Sequence, residues 1–203
     1  MTTDQNKFII SVQGPMAVGK TTCLRQLEPT LPEINFSYEN PSPIVKKRNS
    51  LKININEESG FIENQRIFIS AEIERYSSLP SGVTVFDRGP EDTECYTLNY
   101  PKLTNKKWKV HEILKRELLE LRQCEVDKIL FLTASDDELK KRMLLDNTRG
   151  RSTFNLDAFR IYEEWFLKNK SIDILDVTNL TFQEQTNKIK NWLLKTIPNP
   201  ACS

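Results

Sequence analysis

Apolar and β-branched residues recur in five short runs that read as strands: residues 7–13, 34–38, 83–87, 128–133 and 172–177. In Phe8-Ile9-Ile10-Ser11-Val12 and Ile129-Leu130-Phe131-Leu132 the apolar character is nearly continuous, as suits strands of a parallel sheet buried on both faces. Between the runs the spacing lengthens to a helical period. Residues 59–78 carry Ile62, Ile69, Ile73 and Tyr76 along one stripe; residues 108–123 carry Val110, Ile113, Leu114, Leu118 and Leu121; residues 155–169 place Leu156, Phe159, Tyr162 and Phe166 at helical intervals. Residues 135–147 and 181–196 open on Ser135-Asp136-Asp137-Glu138 and Thr181-Phe182-Gln183-Glu184, both spaced as capping boxes. Strands alternating with helices predict one doubly wound α/β domain over residues 1–203, its five-stranded parallel sheet flanked by helices in three layers. The tail from about residue 198 to 203 is expected to fray.

The turn after the first run changes the picture most. Gly14-Pro15-Met16-Ala17-Val18-Gly19-Lys20-Thr21 has the spacing G-x-x-x-x-G-K-[ST], follows a strand and precedes a segment that can be helical. Strand, glycine loop and helix in that order are what a phosphate-binding loop requires. The glycines let successive N–H groups point inward, and the helix adds its positive end. Gly14, Ala17, Val18, Gly19, Lys20, Thr21 and Thr22 are therefore expected to bind a nucleoside triphosphate, with Lys20 on the outer phosphates and Thr21 on Mg²⁺. The expected fold is of the P-loop NTPase type.

In such a sheet ligands gather beyond the C-terminal ends of the strands. There the second run delivers Glu39-Asn40-Pro41, the third Asp87-Arg88-Gly89, and the fourth leads to Arg142, Arg149, Gly150 and Arg151. An acceptor hydroxyl needs a base, and Glu39 is placed to serve, with Asp87 as second candidate. No arginine adjoins Glu39 in Ser37-Tyr38-Glu39, which favours a neutral alcohol over an already phosphorylated acceptor. Asp87 either holds Mg²⁺ through water or orients Arg88, which steadies the acceptor side. Arg149 and Arg151 flank a glycine, as suits a lid over about residues 142–154 that closes guanidinium groups on the phosphates. Arg142 either joins them or faces water. Phe61, Gln65, Phe68 and Glu72 share one helix face, where Gln65 can read an amide or base edge and Phe61 or Phe68 can stack on a ring.

These residues together resemble the deoxynucleoside kinase and thymidylate kinase group of P-loop kinases. Glu39-Asn40-Pro41 is similar to the group's Glu-Pro element, whose acid is the base for the sugar 5′-hydroxyl. Asp87-Arg88-Gly89 is similar to its acid-Arg-Ser or Asp-Arg-Tyr element. Arg149-Gly150-Arg151, followed by Leu156 and Tyr162-Glu163-Glu164-Trp165, looks like its lid and the helix after it. The chain departs from the group where Asn40 separates Glu39 from Pro41, where the stretch from Glu39 to Asp87 is short, and where the lid is stretched between Arg142 and Arg149. The group's acid after the lid arginines, which helps hold the sugar 3′-hydroxyl, is replaced by Ser152-Thr153-Phe154. The resemblance implies ATP and Mg²⁺ as cofactors and a small-molecule phosphate acceptor, foremost a (deoxy)nucleoside. A nucleoside monophosphate, a sugar or an antibiotic stands as the alternative acceptor.

Composition narrows the rest. Lys plus Arg number 29 against 28 Asp plus Glu, so no net field favours nucleic acid or a membrane surface. No apolar run approaches a spanning helix, and Met1-Thr2-Thr3-Asp4 lacks signal-peptide character, so a cytoplasmic protein is expected. Cys23, Cys95, Cys124 and Cys202 form no C-x-x-C pair and read as structural thiols, and His111 is the single histidine, too few for a zinc site. A guanine-reading Asn-Lys-x-Asp element is missing, since Asn105-Lys106-Lys107-Trp108 and Asn169-Lys170-Ser171-Ile172 lack the aspartate. A nucleotide-dependent switch without turnover is therefore the least favoured function. Both a monomer and a homodimer are compatible with the sequence.

Overall fold

The computed structural model describes residues 7–145 and 156–198. Five strands form one all-parallel sheet in the order β2-β3-β1-β4-β5. They are β1 (Lys7–Gln13), β2 (Ile34–Tyr38), β3 (Gly82–Asp87), β4 (Lys128–Thr133) and β5 (Asp173–Asp176), within a residue of the expected runs. The helices are α1 (Lys20–Leu27), α2 (Ser42–Ser50), α3 (Glu58–Ser77), α4 (Pro90–Leu103), α5 (Val110–Ile113), α6 (Lys115–Leu121), α7 (Asp136–Leu145), α8 (Leu156–Asn169) and α9 (Phe182–Thr196). The chain divides into two compact units: residues 1–38, 80–87 and 126–203, and residues 39–79 and 88–125.

The first unit holds the whole sheet. Alternation along each strand sends Ile10, Val12, Val85, Leu130 and Leu132 to one face, where they pack with Cys23, Leu24 and Leu27 of α1 and Ile189 and Leu193 of α9. Phe131 points the other way and meets Tyr162 and Phe166 of α8 at 5.9 and 5.3 Å between ring centroids. Burial on both faces is why β4 runs Ile129-Leu130-Phe131-Leu132 without a polar alternate, and why the polar alternates of β1 and β3, Ser11, Gln13 and Thr84, are themselves buried. Thr181 and Glu184 form the complete capping box at the start of α9. The box expected at Ser135 is half formed. Glu138 N–H donates to Ser135 Oγ at 3.3 Å, but the Glu138 carboxylate accepts from Arg142 instead, and Ser135 N–H donates to Thr178 Oγ1.

The second unit is helical, with Phe61, Ile62, Ile69, Val110, Leu114, Leu118 and Leu121 as its core. The helix expected over residues 108–123 is two pieces, α5 and α6, because Leu114 departs from helical dihedrals at φ −96° and ψ 19°. Hydrogen bonds from Leu114 N–H to Val110 O and from Leu118 N–H to Leu114 O still span the break. Helices α2 and α4 carry no apolar stripe, and the periodicity did not predict them. No residue of α2 is buried, and three of the six buried residues of α4 are polar: Glu91, Glu94 and Thr97. Among the described residues no helix is long and apolar enough to cross a membrane.

Replacing Thr181 by Ala removes one half of the reciprocal cap at α9. The expected loss is about 1 kcal/mol in urea-unfolding stability.

Candidate functional site

In the first unit the chain leaves β1 and curls before entering α1. Gly14, Ala17 and Gly19 all have positive φ, at 133°, 64° and 97°. A Cβ on Gly14 would stand 2.3 Å from the Leu132 carbonyl oxygen, so only glycine fits there. No side chain caps the start of α1, whose first-turn N–H groups and positive dipole end therefore serve the loop. Lys20 is buried and folded back over the curl, its Nζ donating to Gly14 O at 2.6 Å and Pro15 O at 2.8 Å. A cradle of amides with a lysine across its mouth is a geometry for a polyanion.

Thr21 and Asp87 meet beside it. Thr21 Oγ1 donates to Asp87 Oδ2 at 2.6 Å, while Asp87 Oδ1 is buried with no hydrogen-bond partner. An orphaned carboxylate oxygen beside a hydroxyl is a donor set that fits Mg²⁺, which commonly takes one or two protein oxygens and completes its shell with phosphates and water. The Thr21 contact ties Asp87 to the loop. Thr22 is exposed. Gln13, at the end of β1, accepts from Tyr162 OH at 2.9 Å and donates to Ser11 Oγ at 2.7 Å.

The second unit gathers the expected acceptor-side residues. Arg88 adopts a left-handed φ of 61° and pairs with Glu39 at 3.5 Å and Asp92 at 2.6 Å. Its own carbonyl accepts from Arg75 Nη1 at 3.0 Å. Arg75 in turn pairs with buried Glu72 at 3.1 Å. Burial raises the Glu72 carboxyl above the usual carboxylate range; Arg75 opposes that shift, while the charges of Glu39 and Asp92 add to it. The pair Glu72–Arg75 was missed as a unit, although its i,i+3 spacing on a helix is a legible signal.

Two expected contacts turn out differently. Phe61 is fully buried and stacked on Tyr100 at 4.3 Å between centroids, so its ring belongs to the core of this unit. Gln65 is 1% exposed; its Oε1 accepts from Asn64 and its Nε2 donates to Thr97 Oγ1 at 2.6 Å. Phe68, on the same helix, is half-buried. Arg142, partly buried, donates to Glu138, Val18, Val177 and Gln185; the arginines it was expected to join lie outside the described residues. Arg149, Gly150, Arg151 and Ser152-Thr153-Phe154 lie outside the described residues, as do the rest of the expected lid beyond residue 145 and the tail from residue 199. Cys23, Cys95 and Cys124 are free and buried, and burial pushes the Cys124 thiol up to about 11.

Because Glu72 titrates at a higher pH when folded than when unfolded, the stability it contributes is present at acid pH and fades as pH rises through the raised value. Glu72→Gln removes that titration. Urea unfolding between about pH 4 and about pH 8 should show the stability difference moving steadily in favour of the variant. A difference independent of pH contradicts the assignment.

No protein-family model and no curated protein matches the chain. Solved structures do. A deoxyadenosine kinase from M. mycoides, with products dCMP and a flexible dCDP bound, superposes with a TM-score of 0.68 at 17% identity, covering 93% of this chain and 99% of that one. The same enzyme with bound dATP gives 0.66 at 17% identity, covering 92% and 100%. Thymidylate kinase from Candida albicans gives 0.65 at 18% identity, covering 95% and 93%. The protein has the P-loop fold of the deoxynucleoside kinase and thymidylate kinase structures.

Proposed function

We propose that the protein is a small-molecule kinase that transfers the γ-phosphoryl group of ATP to a hydroxyl of an uncharged acceptor, foremost a (deoxy)nucleoside. The observation that carries the choice of acceptor is that Arg88 and Arg75 already have carboxylate partners. Arg88 is paired with Glu39 and Asp92, and Arg75 with Glu72. A phosphorylated acceptor would bring two more negative charges to a cluster whose cations are already paired.

In this reading the loop amides and Lys20 hold the triphosphate, Lys20 exchanging the Gly14 and Pro15 carbonyls for phosphate oxygens. Thr21 and Asp87 hold Mg²⁺, which when bound supplies charge neutralisation on the phosphate oxygens. Glu39, 41% exposed, accepts the acceptor hydroxyl's proton as the new P–O bond forms and ADP departs. Arg88 holds the carboxylate in place. Arg149 and Arg151 neutralise charge on the moving phosphoryl group, and Phe68 offers a ring face to the acceptor. Gln65 stays committed to Asn64 and Thr97 and does not contact the acceptor. The fold likeness across 93% of the chain supports a phosphotransferase.

The test is an ADP-release screen over nucleosides, nucleoside monophosphates, sugars and aminoglycosides. Neutral nucleosides are expected to release ADP above background and monophosphates to lag; turnover with monophosphates alone would replace this reading with that of a monophosphate kinase. Lys20→Ala should nearly abolish turnover with the fold retained. Glu39→Gln should lower kcat by about 10²–10⁴-fold while ATP affinity holds; an unchanged kcat removes Glu39 from the base role.

A further inference from the structure

The carbonyl of Val18, inside the phosphate-binding loop, is gripped by two side chains from distant parts of the chain. Gln185 on α9, 1% exposed, donates its Nε2 to it at 2.7 Å. Arg142 on α7 donates Nη1 to the same oxygen at 3.2 Å. The two are coupled, because Arg142 Nη1 also donates to Gln185 Oε1 at 3.1 Å. That contact fixes the amide: its oxygen must face the guanidinium, which leaves its nitrogen to face the loop. Arg142 is itself anchored by Nη2 to Val177 O at 3.1 Å and by Nε to Glu138 Oε1 at 2.7 Å. The amide also occupies the space beside Gly19, where a Cβ would stand 2.8 Å from Gln185 Nε2.

A trans peptide points its C=O and its N–H in opposite directions. Holding the Val18 carbonyl therefore also sets the direction of the Gly19 N–H, away from Gln185. Amide donors aimed in advance are worth more to an anion than donors that must reorganise on binding. We propose that Arg142 and Gln185 form a latch that presets the Val18–Gly19 peptide for phosphate binding, both acting as positioning residues through the backbone. The inference rests on the reading of this loop as a triphosphate site. It gives Arg142 a different task from the lid arginines and brings α9 into nucleotide binding.

The latch is tested by titration calorimetry with Mg·ATP and with inorganic tripolyphosphate, which has phosphates and no base. Gln185→Ala and Arg142→Ala should each weaken both ligands by about tenfold, the scale of one lost hydrogen bond. The double variant should lose less than the sum of the two single losses, since the two residues share the Val18 carbonyl and hold each other. Gln185→Glu keeps the packing and the Arg142 contact but replaces the donor to Val18 with an acceptor, and it should lose as much as Gln185→Ala. It provides the reading if the alanine variant fails to fold. Leu193→Ala, a core change on the same helix, should lower Tm and leave tripolyphosphate affinity unchanged. Additive losses, unchanged affinities in folded Gln185 variants, or an equal loss in Leu193→Ala would overturn the latch. Wild-type protein that binds neither ligand would overturn the phosphate-loop reading itself.

Discussion

The backbone of residues 14–19 is the constraint on which the rest depends. The Leu132 carbonyl approaches Gly14 so closely that no side chain fits, and three residues in this turn take positive φ. That curl is held from several directions: Lys20 across the Gly14 and Pro15 carbonyls, and Gln185 and Arg142 on the Val18 carbonyl. The sheet provides the rigid base, with β1 at its centre between β3 and β4 and its end pinned by the Tyr162–Gln13 hydrogen bond. A tight turn with this many supports keeps its N–H groups pointed where an anion can use them, with little entropy left to lose on binding.

Each unit carries one charged cluster that bears on the proposed chemistry. In the first, a lysine, a threonine and an aspartate with an orphaned oxygen form a set suited to phosphate and a divalent cation. In the second, Arg88 and Arg75 already have carboxylate partners. The strained φ of Arg88 is held at its carbonyl by Arg75, and Arg75 is held by a buried glutamate. The peptide bond between Asp87 and Arg88 joins the last residue of a sheet strand to the first residue of the helical unit's second segment. Under the proposed reaction this is an economical division, in which the donor is handled by backbone amides and metal oxygens and the acceptor by a carboxylate held on an arginine.

The central strands β1 and β4 were legible because burial on both faces leaves a nearly continuous apolar run that needs no partner to recognise. The loop was legible because its glycines answer to local backbone geometry. What escaped was decided by distant parts of the chain. Helix α4 buries glutamates and a threonine, so no hydrophobic period marks it. The Glu138 carboxylate left its capping box for Arg142, and only the fold brings Arg142 to Val18, Val177 and Gln185. Phe61 lay on the expected face but found Tyr100 as its partner, since aromatic residues elsewhere in that unit offered a better-packed contact than solvent would. Glu39 and Arg88 were chosen separately from two strand exits, and their ion pair joins those choices.

The central claim is that the acceptor is a hydroxyl on an uncharged molecule. Phosphorus NMR of the products formed from Mg·ATP and an equimolar mixture of nucleosides and nucleoside monophosphates tests it most directly, because the new linkage itself is observed. The expected result is a new phosphate monoester appearing in step with ADP. A new phosphoanhydride signal, with the nucleosides left untouched, would contradict it.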